Sequence, residues 1–230
     1  MRYSPHAAVA HQSTNLQIMA NFHELIEGFH NFREEYLLKE TEFFEELKHG
    51  QNPHTLVIAC CDSRVDPAII LGCRPGDLFV VRSVAALVPH ADNASKPDAV
   101  MAAVEYGVKH LEVDNIVVMG HSNCGGIFGA INHEKIAHEK FISGWVSLAN
   151  PVIEEMRREE PDVDLVTFVR RCEEGAVLLS IENLLSYDWL EKKVCEGTLH
   201  LHALYYDMTA GTLNLWDAHK EDFVESRIAD

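Results

Sequence analysis

The chain has 230 residues, 47% of them hydrophobic, enough to bury a substantial core in one large domain or two small ones. Its 19 basic and 36 acidic residues give a formal charge of −17, a field that repels nucleic acid and anionic lipid, so an anion must be drawn by a local site. No apolar run reaches the roughly 18 residues of a membrane span, and the opening MRYSPHAAVAHQSTNLQ lacks the pattern of a secretory signal, which favours a cytoplasmic protein.

Residues 1–15 read as a polar leader. Leu16, Ile18, Met19, Phe22, Leu25, Ile26 and Phe29 recur at helical spacing over 15–32. A charge-rich helix over 31–49 follows, striped by Tyr36, Leu37, Phe43, Phe44 and Leu47. These helices precede any strand, so residues 16–50 read as an arm, packed on another subunit or capping its own. A first strand runs from Thr55 to Cys60, then a short helix over 67–71, a Pro75–Gly76 turn and a second strand over 77–82. Ser95-x-x-Asp98 resembles a capping box opening a helix that ends near His110. The third strand covers 115–119, and Gly125–Gly126 opens the next helix. Helices over 141–160, interrupted by Pro151, and over 163–187 lead to strands at 198–207 and 212–217. Strands separated by helices make βαβ units. The predicted fold is therefore α/β: a mostly parallel central sheet flanked by helices, with an N-terminal helical arm and a C-terminal antiparallel hairpin. With no repeat and no linker, 1–230 reads as a single domain whose core spans 51–220.

Six cysteines stand at 60, 61, 73, 124, 172 and 195. A long chain without a signal has little use for a disulfide framework, so the thiols read as reduced. Two strands end on unusual chemistry. HTLVIACCDSRVDP passes from an apolar run into two cysteines and Asp62-Ser63-Arg64, and NIVVMGHSNCGG ends its run on His121 and Cys124. Open α/β sheets bind ligands at the carboxyl ends of their strands. Thiolate and imidazole together suit zinc better than magnesium or calcium. Two sulfurs and one nitrogen leave a fourth position for water, as in a catalytic site. Alternation along an extended segment puts Asp62 on the side of Cys60, which favours Cys60 as the ligand and leaves Cys61 a small buried filler. Cys73, Cys172 and Cys195 read as packing residues.

Cys60-x-Asp62-Ser63-Arg64 followed by His121-x-x-Cys124-Gly125-Gly126 resembles the zinc signature of the β-class carbonic anhydrases, over about residues 22–217. The resemblance implies one zinc per chain on Cys60, His121 and Cys124, with Asp62 and Arg64 as the catalytic dyad beside the fourth position. It implies reversible hydration of carbon dioxide to bicarbonate and a proton by attack of a zinc-bound hydroxide. Asp62 would orient that hydroxide, and at lower pH it would take the zinc itself. The plant-like branch lines its pocket at positions matched here by Gln51, Phe79, Val84, Tyr106 and Gly125. Part of that pocket comes from a neighbouring subunit, so a homodimer or higher oligomer is expected. Where the family commonly has Arg-Asn-x-Ala-Asn, this chain has Arg82-Ser83-Val84-Ala85-Ala86.

Other readings fit less of the chain. Gly120-His121-Ser122-Asn123-Cys124 resembles a nucleophile elbow followed by Asp207 and His219, but its last glycine is replaced and Cys60–Arg64 goes unexplained. A zinc or thiol sensor would bind metal without turnover. A hydrolase of carbonyl sulfide or carbon disulfide would use the same nucleophile on the same fold.

Overall fold

The computed structural model describes residues 16–93 and 97–227. The leader 1–15, Ser95 and the side chains of Leu16, Ile18 and Met19 lie outside the described residues. The chain divides into two compact units, one ending at Gln51 and the other beginning at Asn52.

The first unit holds α1 (Leu16–Phe32), which runs into a π-helical turn (Arg33–Leu37), and α2 (Thr41–Leu47). The predicted second helix over 31–49 is thus divided, because the regular ladder gives way after Phe32. Phe32 stacks on Tyr36 with ring centroids 5.3 Å apart and meets Phe44 edge-on at 5.9 Å. None of the described residues of this unit is buried, and Phe22, Leu25 and Phe29 are 61%, 71% and 55% exposed.

The second unit is built on a six-stranded sheet. Its strands are β1 (Thr55–Cys60), β2 (Leu78–Ser83), β3 (Asn115–His121), β4 (His200–Asp207), β5 (Thr212–Asp217) and β6 (Asp222–Glu225). They lie in the order β2-β1-β3-β4-β5-β6. The first four pair in parallel, and β4, β5 and β6 pair antiparallel. The predicted hairpin is therefore a three-strand meander; β6 is too short for its alternation to stand out in the sequence. Leu56, Ile58, Ile116 and Val118 bury one face of the sheet, and Val57, Ala59, Val117 and Met119 bury the other. Burial on both faces turns parallel strands into nearly continuous apolar runs.

The helices are α3 (Pro67–Ile70), α4 (Ala99–Lys109), α5 (Gly125–Ile131), α6 (Ile142–Val146), α7 (Asn150–Glu159), α8 (Leu165–Leu185) and α9 (Asp188–Cys195). The cap of α4 is Asp98, whose carboxylate accepts the Met101 N–H at 2.8 Å. Pro151 does not interrupt a helix. It sits in the first turn of α7, where its missing N–H leaves no bond unmade. The α9 segment, DWLEKKVC, is eight residues long and follows α8 almost directly, too short a run to stand apart from the helix before it in the sequence.

Candidate metal centre

The central strands β1 and β3 are direct neighbours, with Ala59 opposite Met119, so Cys60 and His121 leave the sheet side by side at its carboxyl end. Beyond His121 the chain turns through Asn123, left-handed at φ 57°, which asparagine tolerates, and places Cys124 just before α5. Two glycines make this turn possible. A Cβ on Gly120 would stand 2.3 Å from Val177 Cγ2, and one on Gly126 would stand 2.6 Å from Val84 Cγ1.

Cys60, His121 and Cys124 are buried, and their ligand atoms all lie within 4.8 Å of one another. The Cys60 and Cys124 sulfurs are 4.0 Å apart. Two sulfurs on a tetrahedral zinc, each at about 2.3 Å, would stand about 3.8 Å apart, so the spacing fits. The Nδ1 of His121 lies 2.9 Å from the Ser122 carbonyl, which as an acceptor fixes the proton on Nδ1. Its Nε2, with the free lone pair, is the buried side-chain nitrogen or oxygen left without a partner among the described residues. Two sulfurs facing an orphaned imidazole nitrogen form a donor set that zinc satisfies.

Electrostatics favour a cation here. The hydrogen bond from Cys124 pulls the Cys60 thiol down to about 4, against the opposing effect of burial. Cys124 is pushed up by the same bond and by burial, so the proton of the pair stays with it. Burial opposes a charge on His121, but the Cys60 sulfur and the Ser122 carbonyl outweigh it and raise its pKa.

Asp62 and Arg64 form a fork: Nε and Nη2 of Arg64 donate to the two carboxylate oxygens at 2.9 and 2.7 Å, and the Arg64 N–H adds a bond of 3.0 Å. Chiefly through these side-chain bonds, Asp62 stays well below the usual carboxylate range. Arg64 also donates to the Asn123 carbonyl at 3.1 Å, tying the dyad to the second ligand turn. Arg82 grips the first turn, donating to the carbonyls of Cys60 at 2.9 Å and Asp62 at 2.6 Å and to Asp66 at 3.2 Å. Ser83 and Ala86 stand where the family commonly has asparagine; Ala85 and Ala86 are left-handed at φ 61° and 54°, and the Ala85 N–H points at Cys60 Sγ, 3.3 Å away.

The remaining candidates scatter. Val84 packs against the ligand turn at Gly126. Gly125 opens α5 with free space where a side chain would be. Phe79 pairs with Leu56, whereas Cys60 pairs with Ser83, so Phe79 lies about 13 Å back along the sheet at 3.3 Å per residue. Its ring centroid is 5.8 Å from that of the half-exposed Tyr106. Gln51 is exposed and ends the first unit. Cys61 and Cys195 are exposed rather than buried fillers, while Cys172 is buried. The backbone at Cys61 follows the alternation that turns Cys60 inward, which sends its own side chain out.

Glu173 passed unnoticed in the sequence. Its carboxylate, in the middle of α8, accepts the N–H of Cys124 at 2.8 Å and the Tyr205 hydroxyl at 2.8 Å. Cys-Glu-Glu-Gly reads as a solvated acidic pair. The signal was its position on the stripe of Val177, Ser180 and Leu184 that faces the core.

Residues 55–213 match the family model described as carbonic anhydrase. The chain is 34% identical over 245 aligned residues to beta carbonic anhydrase 5, chloroplastic, of Arabidopsis thaliana, covering 96% of this chain and 80% of that one. The chain belongs to the β-carbonic anhydrase family. Beta carbonic anhydrase 6, mitochondrial, of the same plant is also 34% identical, over 84% of this chain and 67% of its own. Among solved structures, the β-carbonic anhydrase CcaA superposes with a TM-score of 0.86 at 30% identity, covering 90% of this chain and all of that one. A tetrameric β-carbonic anhydrase of Sordaria macrospora gives 0.76 at 30% identity, covering 85% and 96%. As a β-carbonic anhydrase the protein is an enzyme, and the reaction of its family is the hydration of carbon dioxide. Among the described residues, no helix is long and apolar enough to cross a membrane.

Proposed function

We propose that this β-carbonic anhydrase holds one zinc ion per chain on Cys60, His121 and Cys124 and interconverts carbon dioxide with bicarbonate and a proton beside it. The observation that carries this reading is the orphaned Nε2 of His121 facing two sulfurs 4.0 Å apart in a buried cage. When bound, zinc supplies the Lewis acidity that makes water a nucleophile near neutral pH.

The chain supplies orientation. Asp62, ionised and aimed by the Arg64 fork, accepts a hydrogen bond from the attacking water and turns a lone pair toward carbon dioxide. Arg82 holds the carbonyls on either side of that carboxylate. Val84 gives the small apolar substrate a dry wall, and the Gly125 N–H and Gln51 are donors for bicarbonate oxygens.

Phe79 and Tyr106 serve the site of a neighbouring copy in a homodimer or higher oligomer. Their distance along the sheet from their own Cys60 supports this, as does the exposed apolar face of α1. The Sordaria macrospora relatives are tetrameric. For location we keep the cytoplasm, on the sequence reading; the two plant relatives are named chloroplastic and mitochondrial.

Metal analysis and stopped-flow carbon dioxide hydration test the proposal together. Zinc-loaded protein should carry about one ion per chain and turn over carbon dioxide. Cys60→Ser should lose both properties, and Asp62→Asn should keep the ion while losing about 100-fold in kcat. Full turnover by Cys60→Ser, or none by the zinc-loaded wild type, would refute the assignment. Preferential turnover of carbonyl sulfide or carbon disulfide would replace the substrate.

A further inference from the structure

Glu173 is 3% exposed, yet both of its carboxylate oxygens are occupied. Oε1 accepts the backbone N–H of Cys124 and Oε2 the hydroxyl of Tyr205, each at 2.8 Å. The nearby guanidinium of Arg170 is directed elsewhere: it bonds Glu174 at 2.9 Å and Asp207 at 3.4 Å and lies over the Tyr205 ring at 5.5 Å. Burying a carboxylate without a salt-bridge partner is unfavourable, so the fold gains something that an apolar side chain would not give. The bond it makes is to one particular N–H. Cys124 stands in the turn between β3 and α5, where neither element offers its N–H a backbone acceptor. An ionised acceptor makes the stronger bond to such a group.

We infer that Glu173, steadied by Tyr205, is a positioning residue for the metal centre: it clamps the Cys124 turn from outside the cage and sets where the Cys124 sulfur stands relative to that of Cys60. The inference rests on the zinc reading above. Both oxygens of Glu173 are taken up by the Cys124 N–H and the Tyr205 hydroxyl, so its grip on the cluster is made through Cys124. Groups that orient metal ligands from behind typically change metal affinity by about 10- to 100-fold when removed.

The test measures zinc affinity of the full chain by competition with a chelator, and the thiolate-to-metal absorption band of the cobalt(II) form as a reporter of sulfur geometry. Glu173→Ala should bind zinc about 10- to 100-fold more weakly and shift the cobalt band. Glu173→Gln keeps an oxygen acceptor for the Cys124 N–H and should restore both readouts toward wild type. Should Glu173→Ala fail to fold, Glu173→Asp, a methylene too short to span Cys124 and Tyr205, should show the loss instead. Unchanged affinity and an unchanged band in the folded variant overturn the inference while leaving the zinc reading intact. A wild type that binds no zinc overturns both.

Discussion

Cys60 and Cys61 are neighbours in sequence and face opposite environments. The Cys60 sulfur is buried 4.0 Å from that of Cys124, while Cys61 is exposed, its N–H bonded to the Ser83 carbonyl at 2.9 Å. Partial desolvation, and then the charge of Cys60, raise the Cys61 thiol above its ordinary value. Alkylation of the native zinc-loaded protein should therefore mark Cys61 and Cys195 first, faster as pH rises, and spare Cys60, Cys124 and the buried Cys172. Peptide mapping by mass spectrometry reads this directly. Cys61→Ser should retain its zinc; loss of the ion there would make Cys61 the ligand.

Gly120 and Val177 are a second pair whose contact can be tested. An alanine methyl at 120 would meet Val177 Cγ2 at 2.3 Å, well inside contact distance. Gly120→Ala should destabilise the protein by about 1–3 kcal/mol in urea unfolding, the usual effect of an overpacked core. Val177→Ala opens a cavity by itself but should relieve Gly120→Ala in the double variant. Strict additivity of the two losses would show that the glycine answers to something other than this contact.

The cap of α8 makes one separable contribution to acid behaviour. Asp164 accepts the Thr167 hydroxyl at 2.7 Å and the N–H groups of Thr167 and Val166 at 3.1 and 3.0 Å, and the Thr167 bonds above all hold its pKa below the ordinary value. A carboxyl lowered by folding stabilises the protein fully above its unfolded value, near 3.9, and that contribution fades as pH falls through the folded value. Asp164→Ala should thus melt lower than wild type at pH 7, with the gap closing below about pH 4. Asp164→Asn, which still caps α8, should show a smaller gap at pH 7. A gap that persists unchanged into acid would place the stabilisation elsewhere.

The cluster of Cys60, His121 and Cys124 was legible because its chemistry conflicts with its surroundings. Cys60 and His121 end apolar strands that could have continued, and the register of β1 against β3 brings such ends together. Asp62 and Arg64 were legible for the same reason, being local to the break. What stayed hidden depends on residues far apart in the chain. Glu173 looks like half of an exposed acidic pair until α8 is laid on β3. Arg82 reads as the end of a strand until its guanidinium is seen spanning the carbonyls of Cys60 and Asp62. The outward turn of Cys61 needed only the alternation already used for Cys60, applied to the next residue. Pro151 was misread because a proline marks a start as readily as a break, and α9 was missed because an eight-residue helix set directly after a long one leaves little in the sequence to mark its boundary.

The strands bearing Cys60 and His121 occupy the middle of the sheet, each hydrogen-bonded on both flanks. For the zinc site proposed above, two of the three ligands are thus anchored in the part of the molecule that comes apart only when the whole fold does. The third hangs on a short bend between β3 and α5. The lifetime of an ion held as proposed would then be set by the opening rate of that bend, and hydrogen exchange at the Asn123 and Cys124 amides would serve as its clock.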